Sequence, residues 1–427
     1  MTVRTAKTAP TSRPLETGDS HFIGGLSQGA AAVVQVLRQL LEQAESLAGH
    51  AGRSTALTAR LKLDKSLASK AIRAAQTEDP LAALLVLPGA QGLSMIARSA
   101  RRAGVAATLC DALVERAREL DAIIAALPDG KADLEATLAG WFPQEMSRGE
   151  RRARLAAHRS AVFLAGTSLE AAYECEIYMP GQNDGWCDSI TLAMRLGFRR
   201  LRLGSRHIVS GLPSVANDYP GLTMSTLDGE PYDDDPLKAV VREFSSDPLP
   251  NFDVMPRGRG WMFAIGSASP DLGEPVDVAT ALRVRGICPR YATDELEYEH
   301  FAMALRKPTR ALVMDLLVHK SMFVTGEPEL TTRLYGEAPP PPRIAHSPDG
   351  KPLFSEYDPI ASSAELRRLG PGMEALASPL VPRVRDFVGF GLQKLDTTIH
   401  EFRAYRISME YPLPGMQYRV WMPLDRR

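Results

Sequence analysis

The sequence has few cysteines, no long apolar run and almost no net charge. Its four cysteines include no CxxC pair, which favours reduced thiols over a disulfide framework or a zinc site. No segment approaches the roughly 18 consecutive apolar residues of a membrane span. The N-terminus also lacks the apolar core of a secretory signal. We therefore expect a cytoplasmic protein that has no membrane partner.

The charge balance limits the kind of nucleic-acid binding that the chain can support. The 50 basic and 51 acidic residues give a formal net charge of −1, so the whole molecule is not a general polyanion binder. Any surface for nucleic acid must be a local patch. The length of 427 residues is typical of two or three globular domains. The hydrophobic fraction of 44% is typical of a soluble protein.

Common catalytic motifs are missing as well. The sequence contains no Walker A, GxSxG or HExxH motif, and we predict no catalytic residue, no metal site and no cofactor. The acidic segment DELEYEH is interpreted as a solvated helix face. His319 is interpreted as a structural histidine that pairs with Asp315. An enzyme whose site is assembled from distant residues of 173–427 remains an alternative.

The chain is predicted to be multidomain, α followed by α+β. Residues 1–20 are rich in Thr, Ser, Pro and Arg and predict a disordered tail. Residues 21–172 have helical periodicity and predict an all-helical helix-turn-helix bundle. Residues 173–427 predict a mixed α/β domain, in which 192–196, 237–244, 293–304 and 381–395 are interpreted as helices.

A helix-turn-helix is predicted in the segment STALTARLKLDKSLASKAIRAAQ, residues 54–76. A short helix from Thr55 to Leu61 is followed by a tight connection. Asp64 is a good N-cap residue for a second helix that begins at Lys65. The N–H groups at the start of this helix would favour a phosphate.

The second helix has two chemically distinct faces. At about 100° per residue, its small apolar side chains fall on one side and its basic and hydroxyl side chains on the other. Between His50 and Ala75 the sequence has six cations and one anion. Cations for phosphates and donors for base edges are what a recognition helix needs in a major groove. The predicted DNA-binding residues are Arg60, Lys62, Lys65, Ser66, Ser69, Lys70 and Arg73.

This segment resembles the helix-turn-helix of winged-helix bacterial transcription regulators such as the IclR and MarR families. Ala59 matches the position where the two helices approach closely, whereas Leu63 stands where a Gly is often found in the turn. No β-wing is evident after it, because DPLAALLVLP and GLSMIARSARRAG are typical of helices. The whole chain also resembles a group of uncharacterised bacterial helix-turn-helix proteins. The resemblance implies double-stranded DNA as the partner.

The sequence thus predicts a DNA-binding transcriptional regulator. Its C-terminal domain would sense a small-molecule effector or mediate assembly. A homodimer is expected, because one helix-turn-helix covers too little DNA for tight and specific binding. The rival hypotheses are a scaffolding protein whose basic helix pair binds another protein, and the enzyme mentioned above.

Overall fold

The computed structural model divides the chain into two compact units, Met1–Arg148 and Gly149–Arg427. The predicted tail lies outside the described residues up to residue 16, and a helix begins at Thr17. The structure describes residues 17–47, 60–127, 130–131, 134, 138, 143–202, 206–211, 221–231, 235–257, 260–266, 272–293, 296–334 and 362–427.

The first unit is helical throughout its described part. Its core is formed by the apolar stripe of the first helix, where Val33, Leu37 and Leu40 are fully buried, as its 3.6-residue periodicity predicts. None of the described helices combines the length and the apolar character needed to cross a lipid bilayer. The named helices are α1 (Thr17–Ser46), α2 (Lys65–Gln76), α3 (Pro80–Leu84), α4 (Ala90–Arg102) and α5 (Ala107–Ala125).

The second unit is dominated by strands. The helix α6 (Pro143–Ala165) ends at Gly166, whose φ of 62° lets the chain turn directly into the first strand. Strands therefore begin at Thr167, a few residues before the predicted start of the second domain at 173. The strands are β1 (Thr167–Pro180), β2 (Trp186–Arg200), β3 (His207–Gly211), β4 (Thr223–Ser225), β5 (Phe252–Arg257), β6 (Gly260–Ile265), β7 (Val276–Pro289), β8 (Tyr298–Ala304), β9 (Thr309–His319), β10 (Glu329–Leu334), β11 (Arg367–Arg368), β12 (Phe402–Glu410) and β13 (Met416–Pro423).

Three sheets organise these strands. The largest has the order β11-β12-β9-β1-β2-β7-β4, and the smaller ones have the orders β10-β13-β8 and β3-β6-β5. Only the β1–β9 pair of the described ladders is parallel. A helix, α7 (Val384–Lys394), packs on one face of the large sheet through Phe387 and Val388. The α+β class is thus confirmed, with antiparallel strands rather than alternating β and α elements.

Several element predictions for this unit were wrong. Residues 192–196 lie in β2, and this strand is buried on both faces, so its sequence shows no alternation of buried and exposed positions. The segment 293–304 contains β8, and Glu299 of DELEYEH is buried there rather than solvated. Residues 237–244 form two short 3-10 turns, Pro236–Ala239 and Arg242–Phe244. The helix predicted at 381–395 is confirmed as α7.

A buried ion pair crosses the centre of the large sheet. Asp315 on β9 is completely buried and accepts two hydrogen bonds from Arg406 on β12, at 2.6 and 2.7 Å. The Tyr173 hydroxyl donates a third at 3.0 Å. The predicted pairing of Asp315 with His319 is therefore wrong. On a strand two residues four apart are about 13 Å from each other, and His319 instead contacts Ser321 and Glu401.

A buried carboxylate lies on β1 of the same sheet. Glu176 accepts a hydrogen bond from the Thr191 hydroxyl at 2.8 Å, while its other oxygen is buried and has no partner among the described residues. Burial raises the pKa of Glu176 to about 8. The ordinary pKa of 4.5 applies to the unfolded chain, so the folded protein holds one extra proton between these two values.

Stability is therefore expected to fall as the pH rises from about 4.5 to about 8, where the folded carboxyl must ionise. Glu176→Gln removes this ionisation and should be more stable than the parent at pH 8.5 by an amount on the order of a few kcal/mol. Thermal unfolding of both proteins from pH 5 to 9 measures the difference. Glu374→Gln, at an exposed acid, is the control. Parallel pH profiles for parent and Glu176→Gln would contradict this expectation.

Candidate nucleic-acid interface

The helix α2 begins as its sequence predicts. Asp64 has extended backbone angles, and its carboxylate accepts hydrogen bonds from the N–H groups of Ser66 at 2.8 Å and Leu67 at 3.4 Å. This confirms the N-cap. It also corrects the expectation of a phosphate at the helix start, because these two N–H groups are already satisfied by a charged side chain.

The turn before α2 differs in detail from the prediction. Arg60 and Leu61 are helical, and Leu61 is buried in the helical core. The residue with left-handed backbone angles is Lys62, with φ of 48°, and not Leu63. A lysine therefore occupies the position whose left-handed backbone conformation favours Gly. Leu63 packs partly buried against the core instead.

This assignment of the turn predicts opposite effects for two glycine substitutions. Lys62→Gly should raise the free energy of unfolding by about 0.5–1 kcal/mol, since relief of the left-handed strain exceeds the entropy cost of Gly. Leu63→Gly should lower it by about 1 kcal/mol or more through lost apolar burial. Urea unfolding of the two variants and the parent compares them. Equal destabilisation by both would place the left-handed residue elsewhere.

The apolar face of α2 is built mainly from alanines. Ala68, Ala71 and Ala74 are buried, and these small side chains allow the helix to lie close to its neighbours. A Cβ added to Gly92 of α4 would lie 3.2 Å from Leu67 Cδ1. The absence of a side chain at Gly92 therefore makes room for Leu67.

The opposite face of α2 presents the predicted side chains to solvent. Lys65, Ser66, Ser69 and Lys70 are exposed, and Arg73 in the last turn is half-buried. Within the described ranges, no carboxylate lies at ion-pair distance from either lysine. Their charges are thus available for an anionic partner.

The two predicted residues that precede α2 are also exposed. Lys62 lies in the turn, where the described part of the chain gives it no ion pair. The Arg60 guanidinium donates to the Ala103 carbonyl at 3.3 Å, at the C-terminal end of α4. Arg60 therefore has a structural contact that the sequence did not indicate, while its side chain remains exposed.

Sequence reasoning missed the residues that hold α2 in place. Arg38 of α1 donates from Nε to the Ala75 carbonyl at 2.9 Å and so satisfies an acceptor at the helix C-terminus. Gly92 gives space to Leu67. Neither has a local signal, because each acts on a segment that is distant in sequence.

The segment that follows α2 is helical, as predicted. The short helix α3 begins at Pro80 with Asp79 as its N-cap, and α4 begins at Ala90. Among the described residues of the first unit there is no strand, so the part of the structure that is described provides no β-wing. The motif belongs to an all-helical bundle there.

The sequence has two other basic clusters, one at Arg98–Arg102 and one at Arg148–Arg159, and several of their arginines form structural contacts. At the end of α4, Arg101 forms an ion pair with Asp111. On α6, Arg154 is buried and pairs with Glu150, and Arg151 pairs with an acid of β12 at 2.8 Å. These contacts account for Arg101, Arg151 and Arg154 without a nucleic acid.

The residues considered for catalysis are not assembled into a site. His319 ends β9 and contacts Ser321, while Glu299 is buried in β8 and His300 packs against Trp421 at 5.3 Å between ring centroids. Across the described ranges, no three His, Cys, Asp or Glu side chains are arranged to hold a metal ion.

A scan against models of protein families finds no match to this chain, and searches of curated proteins and of solved structures find none either. The resemblance to winged-helix regulators therefore stays a prediction from residues 54–76.

Proposed function

We propose that this protein is a DNA-binding transcriptional regulator that contacts the major groove with the exposed face of α2. The observation that carries the proposal is the separation of the helix into a buried alanine face and an exposed face of lysines and serines. Lys65 and Lys70 would contact phosphates. The hydroxyls of Ser66 and Ser69 would contact phosphates or base edges.

The turn supports the same proposal. The connection between the helical residue Leu61 and the start of α2 is only three residues long. Its left-handed residue is Lys62 and its last residue is the N-cap Asp64. Three- to four-residue turns between two helices are typical of helix-turn-helix motifs. We include Arg60, Lys62 and Arg73 as further cations of the surface.

A single α2 would cover one half-site, so we propose that the protein acts as a homodimer on a twofold-related site. The second unit would supply a sensor for a small molecule or the assembly surface. We propose a cytoplasmic location, where such a regulator meets double-stranded DNA.

The experiment that tests this function is a salt series. The full-length protein is incubated with duplex DNA of mixed sequence, and the bound fraction is measured from about 50 to about 200 mM salt. Neutralisation of about five phosphates by one protomer should weaken binding roughly 10²–10³-fold over this range. A protein that does not bind the duplex at the lowest salt overturns the proposal.

The rival function is a scaffolding protein whose basic helix pair binds an acidic protein partner. It is favoured by the same exposed lysines, since exposed charge alone does not specify a nucleic acid. Competition separates the two functions: unlabelled duplex DNA should displace labelled DNA completely, whereas an acidic polypeptide of equal charge should compete much less well. Equal competition would favour the rival.

A further inference from the structure

The second unit contains a cavity that the proposed DNA-binding surface does not use. It has a volume of about 640 Å³ and lies beside β4, the edge strand of the large sheet, and β6 of a small sheet. This volume is within the range of about 300–1,000 Å³ that is usual for small-molecule sites. Described residues that line it include Thr223, Ser225, Pro231, Pro256, Trp261 and Arg285.

The described part of the lining carries charge of one sign. Arg285 is the only charged side chain among the described lining residues. It is half-buried, and in the part of the chain that the structure describes its guanidinium has neither an ion pair nor a hydrogen bond. A half-buried arginine that has no acceptor among the described residues is suited to bind an anion, because its planar guanidinium can donate two parallel hydrogen bonds.

A polar group next to Arg285 adds a donor for the same ligand. Thr223 on β4 is directly opposite Arg285 on β7, and residues directly opposite each other project from the same face of the sheet. Ser225 follows two residues later and also lines the cavity. The Thr223 hydroxyl can donate to an anion that the guanidinium binds, whereas the Ser225 hydroxyl already donates to the Thr226 carbonyl at 3.0 Å.

The apolar wall of the cavity has an aromatic ring. Trp261 on β6 is half-buried and lines the cavity together with Pro231 and Pro256. Pro256 is directly opposite Trp261 in the β5–β6 pair. An indole ring and prolines in one lining provide apolar surface against which a planar ring can pack.

We infer that this cavity binds a small aromatic anion, with Arg285 at the anionic group and Trp261 against the ring. A role of this ligand as the effector of transcription rests on the proposed function. Binding of the ligand does not depend on that function. It is measured without DNA, so that the ligand proposal and the DNA-binding proposal can fail separately.

The probes are benzoate, phenyl phosphate and benzamide, which share a ring and differ in charge. Their binding to the full-length protein is followed by calorimetry and by tryptophan fluorescence. Saturable binding of benzoate or phenyl phosphate with benzamide at least about tenfold weaker supports the inference. Whichever of the two anions binds with the lower Kd shows whether the site prefers a carboxylate or a phosphate group. Binding of neither anion with a Kd below about 1 mM, or equal binding of benzamide, overturns it.

Two substitutions assign the residues. Arg285→Gln should weaken anion binding about tenfold or more, because a charge-assisted hydrogen bond is lost. Trp261→Phe keeps a ring and should retain binding within a few-fold while the fluorescence response disappears. Arg199→Gln, at an exposed arginine of β2, is the matched control and should bind as the parent does. Unchanged binding by Arg285→Gln with an unchanged thermal midpoint overturns the assignment.

Discussion

Replacement of Lys65, Lys70 and Arg73 together by Ala is expected to weaken the retention of duplex DNA by roughly 10²-fold or more at about 50 mM salt. Each cation that contacts a phosphate adds about one to the slope of log affinity against log salt. The magnitude of this slope should therefore be smaller by about three for the triple variant than for the parent. Filter retention or fluorescence anisotropy over a salt series measures both quantities.

The triple variant is informative because it should fold normally. Ala has the highest helix propensity, so the three changes do not weaken α2 itself. The control variant replaces three exposed arginines of the second unit by Ala and so lowers the net charge by the same amount. These arginines are Arg310, Arg367 and Arg368. If both triple variants lose DNA equally, the effect is one of total charge and α2 is not the binding surface.

The second large effect is expected for stability. Arg406→Ala removes the partner of Asp315, whose side chain is completely buried. An unpaired carboxylate at this place should cost about 3–5 kcal/mol of unfolding free energy. The thermal midpoint of the second unit should fall by roughly 10 °C. Differential scanning calorimetry of the full-length protein gives this value.

A double variant separates the charge from the packing. Asp315→Leu combined with Arg406→Met removes both charges and keeps apolar volume, so it should recover most of the stability that Arg406→Ala loses. Arg385→Ala breaks an exposed pair with Glu374 and should change stability by less than about 1 kcal/mol. A double variant as unstable as Arg406→Ala would show that packing, rather than the unpaired charge, controls this region.

The site was predictable from sequence to the extent that its signals are local. The N-cap at Asp64 and the two faces of α2 depend on residues within three or four positions of each other, and both were predicted correctly. The resemblance put the position at which a Gly is often found at Leu63, whereas the residue with left-handed backbone angles is Lys62. A turn of three residues allows either position, and only the packing of Leu63 on the core decides between them.

The second unit was less predictable because its strands are buried on both faces. In β2 the residues 187–194 are all buried, so the sequence shows neither the alternation of a half-exposed strand nor a helical stripe. The partner of Asp315 lies on another strand, 91 residues away. The cavity beside Arg285 is lined by residues of several separate segments and has no motif.

The parallel pairing of β1 with β9 determines the order in which the chain can fold during synthesis. Ala171 of β1 pairs with Ala311 of β9, so the centre of the large sheet cannot close until most of the chain has left the ribosome. The helices of the first unit depend on contacts within residues 17–138 and can pack much earlier. Until β9 arrives, the β1 edge stays open to other chains, and this interval is when the nascent protein is most exposed to aggregation.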